Sequence, residues 1–169
     1  SGMLADPYFP NYGRMSPRLI EAIRRYYDFA VRYQDVIGPR TRDATSEYVQ
    51  RVELAGIPTD PSLRKNKVWP ILRAGETYLA LSLVNLVDIP SPEWAKGLEA
   101  APRALGPIEI RIHDLDHEVA AVWFASPDLE DISLQPLSFT HLEGPEAGGI
   151  AFRIPSLAYW DLILIQWKV

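Results

Sequence analysis

The chain has 169 residues, enough for one sizeable core with a small element beside it, and its 47% apolar and 23% charged residues are those of a globular protein, not a disordered one. With 17 Lys and Arg against 22 Asp and Glu the net charge is -5, which disfavours nucleic acid or an anionic membrane as partner and suits an uncharged sugar or another protein. There is no cysteine, so neither a disulfide framework nor a thiolate metal site can form.

The opening "SGMLADPYFP" has no cationic segment followed by an apolar stretch, so no signal peptide is expected, and Ser1 and Gly2 ahead of Met3 read as a cloning remnant. The aromatic and proline-rich "DPYFPNY" (6–12) leads into "SPRLIEAIRRYYDFAVRYQDVI". There Leu19, Ile20, Ile23, Tyr26, Tyr27, Ala30, Tyr33 and Ile37 recur at three- and four-residue spacing, which predicts one long amphipathic helix over 17–37. Ser16 suits the N-cap, Pro17 the first helical position, and Gly38-Pro39 the stop. Such a helix is roughly 30 Å long, and its aromatic stripe must be buried against something. The polar "GPRTRDATSEYVQ" behind it reads as a linker, dividing an N-terminal segment (1–47) from a β-rich domain (48–169).

From residue 48 the periodicity shortens. "YVQRVELAGI" (48–57), "KVWPILR" (67–73), "TYLALSLVNL" (77–86), "IEIRIHD" (108–114), "VAAVWFAS" (119–126), "SLQPLSF" (133–139), "GIAFRIP" (149–155) and "WDLILIQWKV" (160–169) are rich in β-branched and aromatic residues and are separated by Gly, Pro, Asn and Asp. In "IEIRIHD" the three isoleucines point one way and Glu109, Arg111 and His113 the other, as in a strand with one wet face. "LALSLVNL" and "LILI" are apolar on nearly both faces, as central strands covered by a second layer would be. The expected fold is therefore mainly β: an antiparallel sandwich of Greek-key type with about eight strands, preceded by one long helix. In the last strand Leu162 and Leu164 should face one layer and Ile163, Ile165 and Trp167 the other. Its apolar run is too short for the ~20 residues that span a bilayer. The stretch 88–107 is the longest irregular connection, a place where function often lies.

The order of landmarks resembles a known family. "RRYYDFAVRYQDVI", "NKVWPILRAGETYLALSLVNLVDI", "PEWAKG", "VWFASPD" (122–128) and "PSLAYWDLILI" (155–165), supported by "SLVNL" (82–86), are similar to the carboxyl-terminal part of glycoside hydrolase family 66, the dextranase and cycloisomaltooligosaccharide glucanotransferase family. The resemblance implies that the helix closes a (β/α)8 catalytic barrel and that the strands form the sandwich behind it. It also implies a retaining mechanism with an Asp nucleophile and a Glu acid/base, carboxyls ~5 Å apart, both on the barrel. Neither carries over to a position of this chain, so no catalytic residue is assigned. The implied partner is the barrel of the same polypeptide, and the exposed helix face offers a second possibility, a homo-oligomer. Members are often secreted, but the sequence leaves localisation open.

Other candidate sites have bland counterparts. "HDLDH" (113–117) offers an imidazole and carboxylate cluster, yet reads more simply as a charged hairpin turn between 108–112 and 119–124; no metal or cofactor is assigned. "EGPEAGG" (143–149) reads as a turn with positive φ at Gly148 or Gly149. His141 stands alone. Trp69, Trp123, Trp160 and Trp167 lie in apolar strand patterns and are expected in the core or an interface. Trp94, in the proline-rich loop, is the candidate for stacking on an α-glucan, the alternative being a plug that pins the loop. If the helix is the last of a barrel, 6–12 is a βα loop at the carboxyl-terminal face, where Tyr8 and Tyr12, with Phe9 and Asn11, would line a sugar cleft.

Overall fold

The computed structural model describes residues 16–91, 101–144 and 147–168. Helix α1 (Pro17–Arg32) is followed by the short helices α2 (Gln34–Ile37) and α3 (Thr45–Tyr48) and by ten strands: β1 (Arg42–Asp43), β2 (Val52–Leu54), β3 (Val68–Ala74), β4 (Tyr78–Asn85), β5 (Ile108–Ile112), β6 (Val119–Ala125), β7 (Gln135–Leu137), β8 (Phe139–His141), β9 (Ile150–Ile154) and β10 (Trp160–Trp167). They form two antiparallel sheets, one ordered β1-β3-β4-β10-β6-β7 and the other β2-β5-β9-β8. The expected sandwich is therefore present, with ten strands in place of about eight.

Three layers explain the greasiest segments. Between the sheets lies a core that includes Leu81, Leu83, Phe124, Ile110, Ile112, Phe152, Ile154, Ile163 and Ile165. On the other face of the larger sheet a second cluster joins Phe29 and Tyr33 of α1 to Ala80, Ala125 and Leu162. Strands β4 and β10, central in that sheet, are thus buried from both sides, which is why neither shows polar alternation. The faces of β10 are as expected: Leu162 and Leu164 turn to the helix, Ile163, Ile165 and Trp167 to the opposite sheet.

Four local readings are corrected. The helix does not run unbroken over 17–37: it ends at Arg32, Tyr33 caps it with φ -105°, and α2 completes the segment. Its start is as expected, with the Ser16 hydroxyl accepting from Leu19 N at 3.2 Å and Pro17 at the first position. Residues 48–57 are not one strand. Only 52–54 pair with β5, because Tyr48 ends α3 and Val49–Arg51 close a 3-10 turn, which together seat Tyr48 and Val49 in the core. Residues 113–118 are not a hairpin turn, since β5 and β6 belong to different sheets and this segment crosses between them. Likewise 133–139 divides into β7 and β8, one in each sheet, and Pro136 is tolerated because β7 is an edge strand.

Candidate functional site

Three stretches that carry the family resemblance meet at one end of the sandwich. "SLVNL" ends β4, "VWFASPD" ends β6, and "PSLAYWDLILI" starts β10, and antiparallel pairing of β10 with β4 and β6 puts these ends side by side. Asn85, buried to 3%, donates from Nδ2 to the carbonyls of Arg103 (2.8 Å), Ala158 (2.9 Å) and Leu157 (3.2 Å), while its Oδ1 accepts from Val87 N at 3.0 Å. One side chain therefore ties two loops to the strand that carries it. Opposite it, Asp128 accepts from Tyr159 N at 2.8 Å and Trp160 N at 3.1 Å, and Ser126 Oγ donates to Trp160 O at 2.9 Å.

This junction also holds α1. The Tyr26 hydroxyl donates to Asp128 Oδ1 at 2.5 Å, and its own ionisation is strongly suppressed by burial and by that bond. Phe29 meets the Trp160 ring edge-on at 4.8 Å and Tyr33 at 4.7 Å, and the Tyr33 hydroxyl donates to Ile132 O at 2.6 Å. At the far end Tyr78 donates to Asp35 O at 3.0 Å. The helix thus follows β10 from Trp160 toward the strand's far end, and its first turns overhang the junction.

Asp161 is the anomaly. It stands across from Ser126 in the β10–β6 register, is 1% exposed, and has an Oδ2 with no hydrogen-bond partner. Burial, helped by the nearby Asp128 charge and opposed by the Ser126 hydroxyl, pushes its carboxyl up to about 7. A displaced carboxyl beside a second one resembles an acid/base pair. Here, however, Asp161 has the parity of Ile163 and points into the core between the sheets, where no substrate reaches.

The sheet-facing stripe of α1 is thus centred on Phe29, with Tyr26 and Tyr33. Sequence spacing had grouped Ile20 and Tyr27 with Tyr26 and Tyr33, and that grouping is corrected: Ile20 is 43%, Tyr27 38% and Val31 62% exposed. With the half-buried Ile23 at their edge they form a second apolar stripe at i, i+3, i+7 and i+11, on the side of the helix away from Phe29. Leu19 is exposed beside it. The helix is thus apolar on two faces, and the sandwich covers one of them.

Among the other expected sites, Trp94, Tyr8 and Tyr12 lie outside the described residues. Trp69, Trp123 and Trp160 are half-buried and Trp167 is buried, as expected; Trp69 Nε1 donates to Pro61 O and Trp123 Nε1 to Gln166 Oε1. In "HDLDH", Asp116 accepts from Tyr48 Oη at 2.7 Å and Arg51 at 3.3 Å, bonds that hold its carboxyl below the usual range. Among the described residues no group of three or more ligating side chains is placed to hold a metal ion. Gly148 has φ +96°, the positive turn expected there.

Residues 1–164 match the model of glycosyl hydrolase family 66. Two cycloisomaltooligosaccharide glucanotransferases of Niallia circulans are each 28% identical over 168 residues, covering 98% and 97% of this chain. The chain spans 17% of the length of each. A crystal structure of the cycloisomaltooligosaccharide glucanotransferase of Paenibacillus sp., complexed with cycloisomaltoheptaose, superposes with a TM-score of 0.84 at 26% identity, over 95% of this chain and 23% of that one.

Proposed function

The chain belongs to glycosyl hydrolase family 66, and on that premise we propose that it is the non-catalytic carboxyl-terminal β-sandwich of a dextranase-like enzyme, which packs against the catalytic barrel and stabilises it. In this reading residues 1–47 bridge the two units and α1 is a wall shared by both. The observation that carries the proposal is the second apolar stripe, in which Ile20, Tyr27 and Val31 are exposed and Ile23 is half-buried at its edge. Exposed apolar side chains aligned on one helix face mark an interface more than a solvated surface does. The small share of each relative that the chain spans supports the same reading, because the greater part of those proteins is left to cover the stripe. The chain has no catalysis of its own in this account: the family's two carboxyls belong to the barrel, and Asp161 and Asp128 serve the junction.

A pair of charges on the stripe tests this. Tyr27→Asp with Val31→Asp should leave the melting temperature of the isolated chain nearly unchanged but lower the stability and activity of the full-length enzyme together. A full-length enzyme that tolerates both substitutions would refute the docking role. In the isolated chain the same stripe is open to a second copy, so any concentration-dependent dimer seen by sedimentation should disappear in the double variant.

A further inference from the structure

At the end of the sandwich away from the junction, where β6 and β9 begin and β8 ends, the segment 113–118 crosses from one sheet to the other and leaves a cleft of about 260 Å³. Its floor is Leu115, Val119 and Ile150, and its rim carries Asp116, His117, Glu118 and His141. The walls are pinned by backbone bonds, Leu115 N to Gly148 O and Leu142 N to Gly149 O, both at 2.9 Å. A Cβ at residue 149 would lie 2.5 Å from Ile112 O, so glycine is needed for this close approach.

The rim is unevenly spent. Asp116 is engaged by Tyr48 and Arg51, and Glu118 is paired with Lys168. The two imidazoles are held differently, by rings: His117 lies 5.4 Å from Trp167 at 40°, and His141 lies 5.5 Å from Phe139 at 78°. Each ring is therefore oriented by an aromatic neighbour while its nitrogens stay available. A neutral imidazole offers one donor and one acceptor, the same pair that a sugar hydroxyl offers in return. The two carboxylates and the net charge of -5 oppose an anion. The described side chains provide no three-ligand set for a cation. An apolar floor beneath a donor-acceptor rim, in a space of this size, fits one pyranose ring laid with its C–H face down.

We propose that the cleft bounded by His117 and His141 is a binding site for a single neutral pyranose residue. The two imidazoles hydrogen-bond its hydroxyls, and the half-buried Leu115, backed by the buried Val119 and Ile150, takes its apolar face. The site is independent of the docking role of α1, which it neither needs nor supports. The experiment is an amide NMR titration of the chain with isomaltotriose, run beside inorganic phosphate and Zn²⁺. Saturable shifts confined to 115–119, 141–142 and 148–150 are expected with the sugar only. His117→Ala and His141→Ala should each weaken binding about tenfold, a loss of ~1.4 kcal/mol. His117→Asn, which keeps a donor and an acceptor, should recover part of it and also serves if the alanine variant unfolds. No shift with sugar, shifts centred elsewhere, or saturation of these amides by phosphate or Zn²⁺ in its place would each overturn the proposal.

Discussion

The two apolar faces of α1 share one helix and similar residue types but have opposite surroundings. Facing the sheet, Phe29 is fully buried, and Tyr26 and Tyr33 each combine ring packing with a hydroxyl bond to the β6–β7 connection. Facing outward, Tyr27 and Val31 are 38% and 62% exposed. Apolarity alone therefore does not tell which face a fold uses. What separates the faces is polar anchoring: the inner aromatics have partners for their hydroxyls, supplied by the loop that holds Asp128.

Substitutions on each face should pull these surroundings apart. The largest loss is expected at Phe29→Ala, about 3–5 kcal/mol by chemical denaturation, because a full ring leaves a cavity among Trp160, Tyr33 and Leu162. Next comes the effect of pH through Asp161. Its carboxyl stands near 7 in the folded chain against an ordinary value of 3.8, so the folded state holds the proton more tightly than the unfolded one. That contribution is complete below about pH 4 and is lost as pH rises through about 7, amounting to a few kcal/mol at roughly 1.4 per tenfold. Asp161→Asn should flatten this decline between pH 4 and 7; an equally steep curve in the variant would locate the titrating group elsewhere. Tyr26→Phe keeps the ring and removes one bond to a carboxylate, so a loss of ~2 kcal/mol is expected from the same denaturation curves. Val31→Ser, on the outer face, should change the isolated chain by less than ~0.5 kcal/mol. A loss there as large as at Phe29 would erase the distinction between the faces.

Much of this was legible in the residues. Alternation in "IEIRI" and the double-faced "LILI" follow from the period of two, and the Ser16-Pro17 start of α1 follows from the orphan N–H groups of any helix. The active face of α1 was hidden because two apolar stripes overlap in a 3.6-residue period, so spacing alone merged Tyr27 with Tyr26 and left Phe29 out. Sheet assignment was hidden for a different reason. Segment 113–118 is short enough to be a hairpin turn and 133–139 to be a single strand, and only long-range pairing decides that each crosses between sheets. Asp161 did leave a signal: a lone carboxylate with the core parity of Ile163 and Ile165 is costly to bury. The convergence of Asn85, Asp128 and Asp161 left none, since it depends on the order β4-β10-β6.

The central claim is that α1 is a wall between two layers of one enzyme. Hydroxyl-radical footprinting of Tyr27 and Phe29, in the isolated chain at monomeric concentration and in the full-length enzyme, tests it most directly. The account predicts that Phe29 is protected in both, whereas Tyr27 is oxidised in the isolated chain and protected in the enzyme. Equal oxidation of Tyr27 in the two would contradict it.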